Sequence, residues 1–135
     1  MDIKELKKFG FFKERLVDDL YPSINEMKLN FVYENLSGLT DYLNNGTPVV
    51  LAPGVLYCLL GCDNEIIASE SIYTDGLYVW PGELSHYVEK HGICLPMNWL
   101  AFIKKNKYVP IIVEDEIINY IDENFERIPL VSDDI

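Results

Sequence analysis

The chain has 135 residues, of which 49% are hydrophobic, so its length and composition suit one globular domain. Twenty-two acidic residues against eleven basic residues give a net charge of −11. This charge disfavours nucleic-acid binding, because contacts to phosphates need Lys and Arg. No apolar run approaches the roughly 20 residues of a membrane-spanning helix, and the N-terminus lacks the pattern of a secretory signal. We therefore expect one cytoplasmic domain over residues 1–135 with no membrane contact, and a frayed tail over residues 130–135.

The acidic residues are concentrated near the C-terminal end of the chain. Residues 113–135 hold eight acids against a single base, Arg127. Such a field attracts a cationic partner and accelerates its encounter, although it would also serve solubility alone. The acidic candidates for binding a partner are Glu114, Asp115, Glu116, Asp122 and Glu123.

Helical signals come first along the chain. Apolar residues near a helical period predict an amphipathic helix over residues 3–20, which Pro22 ends. A second, short helix is predicted over residues 35–43. It is followed by Asn45-Gly46, a pair that can adopt the positive φ found at helix C-termini.

Strand signals dominate the middle of the chain. Four β-prone runs are predicted at residues 49–52, 55–60, 66–73 and 77–80. The last two are separated by Asp75-Gly76, a strong hairpin signal, because both residues tolerate positive φ. Alternation along the last run places Tyr78 and Trp80 on one face. We expect a small antiparallel sheet of about three to four strands.

Helices return after the sheet. One is predicted to open at Pro81 and stop at Gly92, and another begins at Pro96. The last runs over about residues 114–125 and has three acids in its first turn. The predicted fold class is therefore α+β, with a small antiparallel sheet over about residues 49–80 packed against N-terminal and C-terminal helices.

A metal site is the first chemistry to consider, because Cys58-x-x-x-Cys62 has a short cysteine spacing. Structural zinc sites usually pair such a spacing with a second pair of Cys or His. His86 and His91 are five residues apart on one predicted helix, which separates them by about 140° around its axis and disfavours a shared ion. An odd cysteine count, with Cys94 as the third, indicates reduced, mostly buried thiols. We predict no metal ligands and no cofactor.

Catalytic signals are weak. Asp75 is predicted to be a turn residue, and a dyad of Cys94 with His86 or His91 would need an orienting group that the sequence does not select. We predict no catalytic residues. One alternative remains open, a small enzyme or ligand-binding protein with a pocket near Trp80, His86 and Cys94.

The aromatic residues offer a different possibility. Nine Tyr and two Trp are present, and most should belong to the core. Tyr and Trp also anchor interfaces, so Tyr78 and Trp80 are candidate partner-binding residues if one face of the hairpin is exposed. A further alternative is a structural or regulatory homo-oligomer joined through this hairpin. The oligomeric state is left open.

The segment at residues 74–84, TDGLYVWPGEL, continues to Tyr87-Val88 and Leu95-Pro96. It resembles a motif of small acidic bacterial immunity-type proteins from polymorphic toxin and contact-dependent inhibition systems, although it assigns no single family and no contact residue. The resemblance implies a small cytoplasmic α+β protein that binds and blocks a toxin domain. With the acidic charge, it favours a non-enzymatic protein that neutralises a basic toxin domain by occlusion.

Overall fold

A computed structural model describes residues 5–62 and 64–131, and the predicted α+β class is confirmed. The helices are α1 (Lys13–Leu16), α2 (Leu36–Asn44), α3 (Leu84–His91), α4 (Met97–Lys105) and α5 (Asp115–Asn124). The strands are β1 (Lys7–Lys8), β2 (Thr47–Val50), β3 (Val55–Tyr57), β4 (Ile66–Ser69), β5 (Ile72–Thr74) and β6 (Tyr78–Pro81). Helices α2 to α5 thus form where the sequence predicts them, within a few residues at each end.

The strands form two sheets. A four-stranded sheet has the order β1-β6-β5-β2, and β3 pairs with β4 in a separate two-stranded ribbon. The predicted hairpin at Asp75-Gly76 is confirmed, because β5 and β6 are antiparallel with Thr74 opposite Val79. The larger sheet is mixed and not purely antiparallel, since β1 runs parallel to β6.

The predicted helix over residues 3–20 is wrong for most of the part that the structure describes, from residue 5 onwards. Lys7–Lys8 form β1, and the helical part is only α1. Gly10 adopts a φ of +94°, which breaks any helix through this point. The apolar side chains of this segment pack into two different hydrophobic clusters. Phe9 and Phe12 belong to one buried cluster, and Phe11 belongs to the other.

The larger sheet is covered on both faces. Tyr78 and Trp80 pack into a cluster with residues of α2, α3 and α4, whereas Val79 packs into a second cluster with Ile117 and Ile121 of α5. The alternation predicted for β6 is therefore correct, but neither face meets solvent.

The end of the described chain is tied to β1. The backbone N–H of Val131 donates to Lys8 O at 2.9 Å, and Lys8 N donates to Pro129 O at 2.7 Å. Fraying is therefore wrong for residues 130–131, and residues 132–135 of the predicted frayed tail lie outside the described residues.

Helix α3 is fixed at its C-terminal end. Gly92 ends it with a φ of +63°. A Cβ at this position would lie 2.8 Å from backbone atoms of Asn30 and Phe31. The N–H groups of Asn30 and Phe31 donate to His91 O and Gly92 O, both at 2.9 Å. Segment 30–31 therefore satisfies carbonyls that the helix end would otherwise leave unpaired.

Candidate functional site

Four side chains that could bind a metal converge beside α3, which carries two of them. One donor atom each from Cys58, Cys62, His86 and His91 lies within 4.8 Å of all the others. Cys58 Sγ is 3.4 Å from His91 Nε2, and Cys62 Sγ is 3.1 Å from His86 Nε2. We call these four residues the Cys/His cluster.

Local structure explains how two cysteines from one loop come together. Strand β3 ends at Tyr57, so Cys58 is the first residue of the turn that follows. Gly61 N donates to Cys58 O at 3.1 Å, and Gly61 adopts a φ of +66°. The turn brings Cys62 back towards Cys58, so that their sulfur atoms belong to one cluster.

The expectation that His86 and His91 diverge is wrong. Their ring centroids lie 5.6 Å apart, and both imidazoles reach the same cluster. The angular argument treats each side chain as a radial vector from the helix axis. An imidazole is long enough to lean along the helix surface, and His91 is the last residue of α3, where Gly92 turns the chain away.

A hydrogen-bonded network holds the loop against α3. Leu59 N–H donates to Tyr87 Oη at 3.1 Å, and Tyr87 Oη donates to Glu83 Oε1 at 2.6 Å. Burial, followed by this contact with Glu83, raises the pKa of Tyr87 above its usual value, so the phenol stays protonated and can donate.

Arg15 completes the network from the other side. Its guanidinium makes a bidentate pair with Glu83, with Nη2 to Oε1 at 2.8 Å and Nε to Oε2 at 3.0 Å. The hydrogen bond to Glu83 is also the main reason that the pKa of Arg15 is raised. Arg15 Nη2 donates to Tyr57 O at 2.5 Å as well. The backbones on both sides of Cys58 are therefore fixed by one network.

The burial of the Cys/His cluster is graded. Cys58 is buried, His86 and His91 are half-buried, and Cys62 is exposed. Two thiols and two imidazoles are a donor set found in structural zinc sites. The sequence does contain a signal for this donor set. Cys58-x3-Cys62 is matched by a second pair, His86-x4-His91, which consists of histidines and not of cysteines.

The two aromatic candidates for partner binding are wrong as surface anchors. Tyr78 and Trp80 are both 0% exposed. Their rings pack on Trp99 with centroids 4.5 and 5.3 Å away, and Trp80 Nε1 donates to Leu43 O at 3.0 Å. Helices α2 and α4 supply these contacts, so the hairpin lies under the helices.

Trp80, His86 and Cys94 do not meet in one pocket. Trp80 is in the core, His86 contacts Cys62, and the Cys94 thiol is buried with Leu95 O 3.6 Å away. A groove of about 210 Å³ lies elsewhere, lined partly by Arg15 and Glu83, and none of these three residues lines it.

The predicted role of Asp75 as a turn residue is confirmed. Its Oδ1 accepts from the backbone N–H groups of Leu77 and Tyr78 at 2.9 and 2.8 Å. Its Oδ2 accepts from Tyr42 Oη at 2.5 Å and Trp99 Nε1 at 2.8 Å. Four donors therefore surround a fully buried carboxylate, which links the hairpin to α2 and α4.

The acidic candidates lie where a partner could reach them. All five are exposed, on α5 or at its N-cap, while Ile117 and Ile121 of the same helix are buried. Within residues 5–62 and 64–131, the ion pairs are Arg15–Glu83, Lys90–Glu89 and Lys104–Glu34, so no base of that region neutralises the five candidates. The five are Glu114, Asp115, Glu116, Asp122 and Glu123, and we call them the α5 acidic face.

Comparison of the chain with protein-family models, with curated proteins and with solved structures found no match.

Proposed function

We propose that this protein is a non-enzymatic binding protein that neutralises a basic toxin domain by occlusion, as immunity-type proteins do. The observation that supports this proposal is the α5 acidic face, whose carboxylates are exposed and form no ion pair among the described residues. Nuclease toxins hold phosphates with Lys and Arg. A surface of unpaired carboxylates can cover such residues and steer their approach.

In this mechanism, exposed residues beside α5 supply the apolar contact area with the toxin domain, because Tyr78 and Trp80 are buried in the core. Ile112 is 89% exposed and Val109 is 65% exposed, and both lie shortly before the acidic N-terminal turn of α5. Apolar residues flanked by charge provide the mixed composition of a typical binding surface.

A cytoplasmic location belongs to the same proposal. The odd number of cysteines in the chain, three, is typical of proteins whose thiols are reduced in a reducing compartment. None of the helices in the described parts of the chain has the length and apolar character needed to span a bilayer.

The test is binding to the product of the neighbouring gene, measured by calorimetry at about 50 and about 200 mM salt. We expect binding that weakens at the higher salt and is lost when Glu114, Glu116 and Glu123 become Gln and Asp115 and Asp122 become Asn. The matched control neutralises five exposed acids elsewhere: Glu5, Asp19, Glu26, Asp41 and Glu70. Binding that is indifferent to salt, or equally weakened by both variants, would contradict the proposal.

A further inference from the structure

We propose that the Cys/His cluster binds one zinc ion in a closed tetrahedral site, and that the ion fastens the β3–β4 ribbon to α3. The donor geometry, the residue spacing and the network that holds the loop in place all support a zinc ion here, independently of the proposed function.

Two of the distances between donor atoms are close to the edges of a zinc tetrahedron. Zinc binds sulfur at about 2.3 Å and imidazole nitrogen at about 2.0–2.1 Å, so the edges of an S₂N₂ tetrahedron measure about 3.3–3.8 Å. Two of the four sulfur–nitrogen distances are 3.4 Å for Cys58 with His91 and 3.1 Å for Cys62 with His86. The other donor pairs lie within 4.8 Å of one another, so seating the ion would shorten those separations by at most about 1.5 Å.

The spacing of the ligands agrees with structural zinc sites. Cys58-x3-Cys62 and His86-x4-His91 both fall within the usual ranges of two to four and three to five intervening residues. The intervening segment contains β4, β5 and β6, so the ion would join parts of the chain that are far apart in sequence. Such a cross-link restrains a long loop and is therefore stabilising.

The donor set favours zinc and a structural role. Thiolate and imidazole suit zinc, whereas calcium and magnesium take oxygen ligands. Four protein donors leave no position for a reactive water molecule, which catalytic zinc sites keep open. The site would therefore hold structure and would not hydrolyse a substrate.

Hydrogen bonds from neighbouring side chains hold the cysteine loop in position. Arg15 fixes Tyr57 O and Tyr87 fixes Leu59 N, so Cys58 is held between two anchored residues. Tyr87 lies on α3 between the two histidine ligands, so the same helix carries both the ligands and the anchor. Fixed ligand positions of this kind raise metal affinity, as outer-shell contacts do in known sites.

The experiment is a cobalt titration of the protein after its metal has been removed by a chelator. Co²⁺ in a tetrahedral thiolate–imidazole site gives intense visible bands and a near-ultraviolet thiolate charge-transfer band. We expect both bands to saturate at one ion per chain, and zinc to displace the cobalt.

Two variants make the test specific. Cys62→Ser removes an exposed ligand without disturbing the core, and it should lower cobalt affinity at least about tenfold and weaken the charge-transfer band. Cys94→Ala removes a buried thiol outside the cluster and should keep the wild-type spectrum. Circular dichroism checks that each variant is folded, and His86→Gln replaces Cys62→Ser if that ligand variant is not. A wild-type spectrum typical of six oxygen ligands, no bound cobalt, or the same spectrum with Cys62→Ser would overturn the proposal.

Discussion

The backbone N–H of Leu59 donates a 3.1 Å hydrogen bond to the phenol oxygen of Tyr87, which joins the cysteine loop to the helix that carries both histidines. The bond between Leu59 and Tyr87 couples two segments that are 28 residues apart in the sequence. The Tyr87 hydroxyl also donates to Glu83. Because Leu59 follows Cys58 directly, the position of the first thiol depends on a tyrosine that is not itself a ligand.

Tyr87→Phe should therefore weaken zinc binding as well as stability. Removing the hydroxyl leaves Leu59 N–H without this acceptor and should cost about 1–3 kcal/mol in the free energy of unfolding. Zinc affinity should fall by about 10–100-fold, because Cys58 loses an anchor. Urea unfolding of the metal-free protein and competition with a zinc chelator measure the two effects separately.

Tyr33→Phe is the matched control for this variant. Tyr33 Oη donates to Ile93 O at 2.5 Å and accepts from Leu95 N at 2.8 Å, so it also serves two partners. We expect a similar loss of stability but unchanged zinc affinity. Equal losses of affinity in both variants would show that Tyr87 does not position the loop.

Glu83→Gln should destabilise the protein by about 2–4 kcal/mol, since it breaks a largely buried bidentate pair with Arg15. Glu89→Gln removes an exposed pair with Lys90 at 3.6 Å and should change stability by less than about 1 kcal/mol. Chemical unfolding of both variants gives the comparison. Similar small effects would mean that the Glu83 network contributes little.

Asp75→Asn should lower the free energy of unfolding by about 2–4 kcal/mol, although the two side chains have the same shape. All four partners of Asp75 are donors: Tyr42 Oη, Trp99 Nε1 and the N–H groups of Leu77 and Tyr78. An amide replaces one accepting oxygen with an NH₂ group, and although the Tyr42 hydroxyl can turn to accept from it, Trp99 Nε1–H and the backbone N–H groups cannot. Thermal and urea unfolding would measure the loss, and an unchanged midpoint would refute this account of the hairpin.

Stability should fall as the pH rises above about 10. Burial raises the pKa of Tyr33, Tyr42 and Tyr87 above the ordinary value of 10.0. Above that pH the unfolded chain releases these protons while the folded chain retains them. Each group therefore lowers the free energy of unfolding by about 1.4 kcal/mol per pH unit until its own folded pKa is reached.

Lys8 acts in the opposite direction over the same pH range. Desolvation by burial lowers its pKa below 10.5, so the unfolded state binds more protons there and stability gains from rising pH. Three tyrosines outweigh this single group. Urea unfolding at several alkaline pH values should show a negative slope, and Tyr42→Phe should make it shallower. A flat profile from pH 10 to 11 would contradict the burial of these hydroxyls.

Local signals predict much of this fold. Asp75-Gly76 indicates the β5–β6 hairpin because positive φ is needed there, and Gly76 adopts a φ of +88°. Gly92 indicates the end of α3 for the same reason. These features depend on neighbouring residues alone.

The features that sequence patterns do not predict depend on long-range contacts. Strand β1 exists because Lys7 and Lys8 pair with Tyr78 and Val79, some 70 residues away, and no local periodicity encodes that pairing. The Cys/His cluster likewise needs the cysteine loop to fold onto α3. The spacing of its residues was visible in the sequence, but their convergence was not.

X-ray absorption spectroscopy at the zinc edge, on protein purified without chelators, tests the proposed zinc site most directly. We expect bound zinc with two sulfur neighbours at about 2.3 Å and two nitrogen neighbours at about 2.0 Å. Protein that carries no zinc, or zinc surrounded only by oxygen and nitrogen, would contradict it.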